Sequence, residues 1–195
     1  SAYVRRSPSV VVCEGIKANQ GPRRNSSVTM IDSHCHIDQF EDPRAEALEA
    51  ERLSIETVAV TALPSHYRTT LHHLKGFVHV HPALGLHPLS VARHANEVED
   101  FAILARDAHF IGESGLDFSK AGCQTRDLQV DVFDQVVGSL GTERRFVTVH
   151  TRGAEDAVLD TLARHHVGPV VFHWFTGSAV TLERVLKAGK REVVV

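Results

Sequence analysis

The chain has 195 residues, of which 43% are apolar and 23% charged, and its formal net charge is −3. This composition describes a soluble globular chain long enough for one sizeable core. It excludes a low-complexity disordered chain and a strongly basic surface that binds nucleic acid by charge alone, and no apolar run approaches the length of a membrane span.

In chain order, residues 1–29 stand apart, rich in Arg, Ser, Asn and Pro, with a single short apolar island at Val10, Val11 and Val12. That island is too short for the core of a signal peptide. The segment reads as a flexible N-terminal extension or leader, with Met30 as a natural start. Residues 30–195 form the second unit. Within it, short β-branched runs predict strands at Val28 to Ile31, Thr57 to Leu63, Phe77 to Leu84, Phe110 to Gly112, Phe146 to Val149, Pro169 to Phe172 and Glu192 to Val195. Amphipathic stretches lie between them. Leu128, Val132, Val136 and Leu140 mark one face of a helix over 124–140. Val158, Leu159 and Leu162 mark another over 154–164. Leu182, Val185 and Leu186 predict a third, with Gly189 as its C-cap. Cys13, Cys35 and Cys123 are an odd, scattered set, which predicts a reducing, cytoplasmic compartment and no disulfide framework.

Strands alternating with helices imply a parallel sheet with crossover helices. An open doubly wound sheet and a closed (β/α)8 TIM barrel both satisfy the pattern. No dinucleotide or Walker fingerprint is present, because Gly112-Glu113-Ser114-Gly115 lacks the spacing and the lysine. Candidate ligands at many strand ends favour the barrel, whose C-terminal rim gathers residues from every strand. About seven strands can be counted, so the expected fold is an α/β barrel of the metal-dependent hydrolase type, incomplete before its eighth strand.

His34 and His36 carry the first chemical signal. Side chains repeat every two residues on a strand, so this pair presents two imidazoles side by side to one cation. Asp32, two residues earlier, is placed to accept the second imidazole proton. Glu113 follows Phe110-Ile111-Gly112, where a carboxylate is costly unless paired or metal-bound, and its two oxygens can bridge two ions. The competing reading is an arginine partner. His150 ends one apolar run and His173 another; each alone reads as a hydrogen-bonded core histidine, but with the first pair they make a convergent ligand set. Imidazoles with one carboxylate suit zinc or manganese better than magnesium. His87, in Gly85-Leu86-His87-Pro88, is a candidate substrate contact or a plain turn residue. Arg152 can clamp a phosphate with its planar fork or form a surface ion pair. Asp117 either supports the ligands from behind or caps a loop. His79 and His81 mimic the first pair but precede their strand end and are read as lying below the rim.

These motifs resemble the TatD family of metal-dependent deoxyribonucleases. The resemblance rests on Met30 to Asp38, Gly85-Leu86-His87-Pro88, Gly112 to Asp117, His150-Thr151-Arg152 and Phe172 to Gly177, in that order, and spans 30 to about 188. It implies an amidohydrolase-like TIM barrel and hydrolysis of DNA with two divalent metal ions (Zn, Mn or Mg). By that resemblance His34 and His36 bind the first ion, Glu113 bridges, and His150 and His173 bind the second. The family also places a catalytic aspartate after its eighth strand, which no position here supplies; the resemblance therefore implies a crippled activity for this length of chain. Ser114 stands where the family has an apolar residue. Ala83 to Pro88 with His173-Trp174-Phe175 is also similar to the TatD-like subunit of Qat anti-phage systems, which implies partner proteins in a defence module.

Three functions are thus expected in order: a DNA phosphodiesterase, an amidohydrolase acting on a small amide, ester or lactone, and a non-catalytic component of a multi-protein complex. No strand offers a lysine of the kind that carbamylated amidohydrolases use, which favours the first over the second.

Overall fold

The computed structural model describes residues 30–167 and 169–188, together with the backbone of Val10–Val11 and Val193–Val194. Seven parallel strands follow one another in sequence order: β2 (Ile31–Cys35), β3 (Glu56–Val60), β4 (Val80–Leu86), β5 (Phe110–Asp117), β6 (Phe146–Arg152), β7 (Val170–His173) and β8 (Val193–Val194). An additional two-residue strand, β1 (Val10–Val11), lies antiparallel on β2, with Val10 opposite Asp32 and Val11 opposite Ile31. The rest of the segment 1–29, read from sequence as a flexible extension, lies outside the described residues. Helices α1 (Pro43–Leu53), α2 (Pro64–His73), α3 (Val91–His94), α4 (Val98–Leu104), α5 (Arg126–Gly138), α6 (Glu155–His165) and α7 (Ala179–Ala188) make the crossovers.

Local chemistry sets the helix ends. α1 begins where Asp42 accepts a hydrogen bond from the Ala45 N–H at 3.0 Å and Pro43 takes the first helical turn, and it stops at Ser54 in the left-handed region. α6 carries Glu155 and Asp156 in its first turn and Arg164 and His165 in its last, matching the helix dipole. In α5 the buried face is Gln129, Val132, Phe133, Val136 and Val137. Leu128, predicted on that face, is 39% exposed instead. A step of four residues advances the side chain by 40° beyond a full turn, so a row of fours drifts off the core within one helix. The predicted C-cap Gly189 lies outside the described residues.

The strand order never reverses, which is barrel order and not the doubly wound order. Contacts across the interior establish the curl. β2 and β6 are four strand steps apart, about 19 Å in a flat sheet, yet His34 Nδ1 lies 2.8 Å from Thr148 Oγ1. The His34 and His173 rings, one step further apart, stack at 3.5 Å.

Side-chain alternation then sorts the strands. One set of residues faces the helices, in a core that includes Leu84, Ile111, Val147, Val149, Val170 and Phe172 with Phe101, Val132, Phe133 and Val158. The other set fills the barrel: Val58, Val60 and Ala83, closed below by Phe110 and Phe146. His81 stacks on Phe110 at 4.6 Å, and His79 and His81 bond the two oxygens of Glu56 at 2.8 and 2.6 Å. The second His-x-His pair therefore belongs to the floor of the barrel.

Several strands outrun their apolar stretches. β2 reaches Cys35, β5 reaches Asp117 and β6 reaches Arg152, whereas the sequence predicted ends at Ile31, Gly112 and Val149. Most of the added residues are polar because they line the rim, while Leu116 packs into the apolar core. β4 begins at Val80, not Phe77, since Phe77 packs against the cluster of Ile37, Ala47, Ala59, Leu74 and Val80 ahead of the strand.

Candidate metal centre

Glu113 is the hub, and a bulge puts it there. Between Ile111 and Ser114, β5 advances three residues while β4 advances two (Leu84 to Leu86) and β6 two (Val147 to Val149). The extra residue turns Glu113 into the barrel, where strict alternation would send it toward the helices. Gly112 accommodates this with φ of 146°, and a Cβ on it would collide with Thr148. The bulge is pinned by Thr61, whose N–H donates to the Gly112 carbonyl at 3.1 Å while its carbonyl accepts from the Glu113 N–H at 3.0 Å. Ser114 is buried, and its Oγ accepts from the Leu86 N–H at 2.9 Å. The hydroxyl thus satisfies a backbone donor at the bulge, which accounts for a polar residue where the resemblance has an apolar one.

Around this buried carboxylate, 3% exposed, stand four imidazoles. His36 Nε2 lies 3.0 Å and His34 Nε2 3.5 Å from Glu113 Oε2, with the two nitrogens 3.4 Å apart. Donors around a tetrahedral ion at 2.0–2.1 Å are spaced by about 3.3 Å. The three atoms already have that spacing, so His34, His36 and Glu113 fit one divalent cation. On the other side, His150 Nδ1 is 2.7 Å from Glu113 Oε1 and His87 Nε2 is 3.7 Å from Oε2, a second donor group sharing Glu113. Burial favours the neutral carboxyl, but hydrogen bonds from His150, His34 and His36 override it and hold Glu113 far below the usual carboxylate range.

Behind the ligands, the partners partly differ from those expected. Asp32 does not take the His34 imidazole proton; its Oδ1 accepts from the His34 backbone N–H at 3.2 Å. The ring instead meets Thr148, whose Oγ1 is 2.8 Å from Nδ1. For Nε2 to offer a lone pair, the neutral ring carries its hydrogen on Nδ1 and donates it to Thr148. Thr148 was not singled out from sequence, because a threonine inside a strand looks like any β-former. Asp117 supports His150: its Oδ2 lies 3.0 Å from Nε2, while Oδ1 accepts from the Ser119 N–H at 2.9 Å. Gln129, also missed, is buried on α5 and accepts from the Asp117 N–H at 2.8 Å. Burial lowers the His150 pKa, but Glu113 and Asp117 together raise it above the ordinary value.

His87 is expected to touch substrate and His173 to stand beside His150. His87 Nδ1 accepts from the Leu89 N–H at 3.2 Å, so the neutral ring carries its hydrogen on Nε2 and faces Glu113 as a donor. Burial pushes its pKa down to about 4, against the pull of Glu113. His173, expected beside His150, joins neither donor group among the described residues; its ring lies flat on His34, with 2° between the planes, and burial followed by His34 pushes its pKa down to about 4. Arg152, at the end of β6, is exposed on the rim.

Known proteins place this arrangement in a family. The model described as TatD related DNase matches residues 31–191. An uncharacterized metal-dependent hydrolase of Buchnera aphidicola, BU355, is 23% identical over 179 residues, covering 82% of this chain and 67% of that protein. Among solved structures, the TatD homolog YJJV of Escherichia coli k12 superposes with a TM-score of 0.70 at 23% identity, over 82% of this chain and 65% of that one. An uncharacterized amidohydrolase of Saccharomyces cerevisiae gives 0.59 at 15%, over 78% and 59%. The chain thus spans about two thirds of the length of these relatives, and it shares their barrel. With the strand ends that carry the candidate ligands all inside the matched span, the chain belongs to the TatD related DNase family of metal-dependent hydrolases.

Proposed function

We propose that the protein hydrolyses phosphodiester bonds in DNA at the Glu113 centre with two divalent cations. The observation that carries this reading is one buried carboxylate that faces His34 and His36 with Oε2 and His150 with Oε1. His34, His36 and Glu113 would hold one cation, and Glu113 with His150 would hold the other. Bound cations supply Lewis-acid stabilisation of charge on a phosphoryl oxygen and raise the acidity of water.

The chain's own groups do the positioning. Glu113 stays ionised, and Thr148 and Asp117 fix the tautomers of His34 and His150. His87, neutral with its hydrogen on Nε2, donates to a phosphoryl oxygen at the mouth. Arg152 adds a planar, two-pronged contact to the same phosphate or its neighbour. The described strands contain no lysine, so the carbamylated type of amidohydrolase chemistry has no anchor among them. A role in anti-phage defence and defence-system partner proteins draw no support from fold or site and form no part of the proposal. Among the described residues no helix is long and apolar enough to cross a membrane.

The test is cleavage of a labelled DNA strand with added manganese or zinc, beside a small phosphodiester and a panel of amides. Chelator-sensitive DNA cleavage that His34→Ala and Glu113→Ala both abolish supports the reading. Undiminished cleavage by both variants, or turnover of amides alone, refutes it.

A further inference from the structure

The turn after β7 holds the chain's single tryptophan in solvent beside the centre. Trp174 is 68% exposed, although an indole carries one of the largest apolar surfaces of any side chain. Its ring lies 6.4 Å from that of His173, which in turn stacks on His34. Trp174 adopts φ of 51°, a left-handed conformation that a bulky residue rarely takes. That backbone choice sends the indole outward while its neighbours go inward. His173 points into the barrel, Phe175 packs edge-on to Phe172 in the core, and the Thr176 hydroxyl donates to the buried Glu155 at 2.8 Å. The turn is therefore fastened on both sides of Trp174, and the exposed ring sits on a rigid base. β6 runs alongside, with His150 in register with His173, so the rim beside the indole also carries Arg152.

We propose that Trp174 is a stacking platform for a nucleobase, seating the base of the nucleotide whose phosphate is held at the Glu113 centre. This rests on the DNA reading above. An aromatic face takes any base, needs no hydrogen-bond match, and loses less entropy when the backbone that carries it is already fastened. Arg152 and His87 take the phosphate and Trp174 the base, which divides one nucleotide between a polar and an apolar contact.

Because the chain has one tryptophan, its emission reports this contact directly. The protein is titrated with a short single-stranded deoxyoligonucleotide and with an abasic strand of the same length and charge. The base-bearing strand should quench Trp174 and bind more tightly than the abasic strand by about 5- to 150-fold, the range for one base on one aromatic ring. Trp174→Ala, followed by anisotropy of labelled strands, should bring the two strands to equal affinity, and Trp174→Phe should keep most of the difference. Equal binding of both strands by the unaltered protein, or an unchanged preference in Trp174→Ala, overturns the platform while leaving the DNA reading intact. Binding of neither strand overturns both.

Discussion

Thr148→Val tests how the centre is supported. The substitution keeps the branched shape of a side chain that is 0% exposed and removes only the oxygen 2.8 Å from His34 Nδ1. The His34 ring is 1% exposed, so water cannot replace the lost partner. Leaving one buried donor unsatisfied costs about 1–3 kcal/mol. Taken on the ligating tautomer, the same range emerges from metal binding: an outer partner of a ligating histidine is worth about 10–100-fold in affinity, or about 1.4–2.8 kcal/mol at 1.4 per tenfold. Calorimetric titration of zinc into chelator-stripped protein should show that loss in Thr148→Val and its recovery in Thr148→Ser. A Thr148→Val protein that binds zinc within about twofold of the parent, with an unchanged melting temperature, would refute the assignment of Thr148 as the residue that fixes His34.

Three further outcomes follow from particular residues. Glu113→Gln should lower the metal content of purified protein and cut any hydrolytic activity by more than about 100-fold, beyond the loss of an outer partner, as read by elemental analysis and strand cleavage; full metal content in the variant would deny Glu113 its role. Phe101→Ala, at a side chain 0% exposed on α4, should cost about 3–5 kcal/mol and lower the melting temperature by about 6–20 °C in a scan of the apo protein. Cys35 has its thiol pushed up to about 12, by burial and then by Asp32, so at pH 8 it should alkylate roughly a thousandfold more slowly than the exposed Cys123. Peptide mapping of an iodoacetamide time course separates the two thiols, and comparable rates would contradict the raised Cys35 thiol.

Legibility in the sequence followed a physical divide. Apolar runs marked strand starts at Phe110 and Phe146 to the residue, because those side chains plug the barrel floor. The same criterion lost the strand ends, since the apolar runs are broken by Glu113, Ser114 and Asp117 in one strand and by His150, Thr151 and Arg152 in another. The four imidazoles at Glu113 were each visible, because histidine and glutamate after a strand are unusual enough to notice. The convergence of His34, His36 and His150 on Glu113 was legible as well; the place of His87 and His173 in it was not. That depends on one extra residue in β5 and on ring rotations, which set His87 beside Glu113 and laid His173 flat on His34. Thr148, Thr61 and Gln129 were hidden for a plainer reason: a threonine in a strand and a glutamine on a helix look ordinary until their hydrogen bonds are seen. The hydrophobic face of α5 was right at Val132 and Val136 and wrong at Leu128, where helical drift carries the side chain out of the core.

The most direct measurement is anomalous diffraction from crystals grown with zinc or manganese. A peak should appear within bonding distance of Glu113 and of the Nε2 atoms of His34 and His36. Density confined to Glu56, His79 and His81 at the barrel floor, or no peak at Glu113, would contradict it.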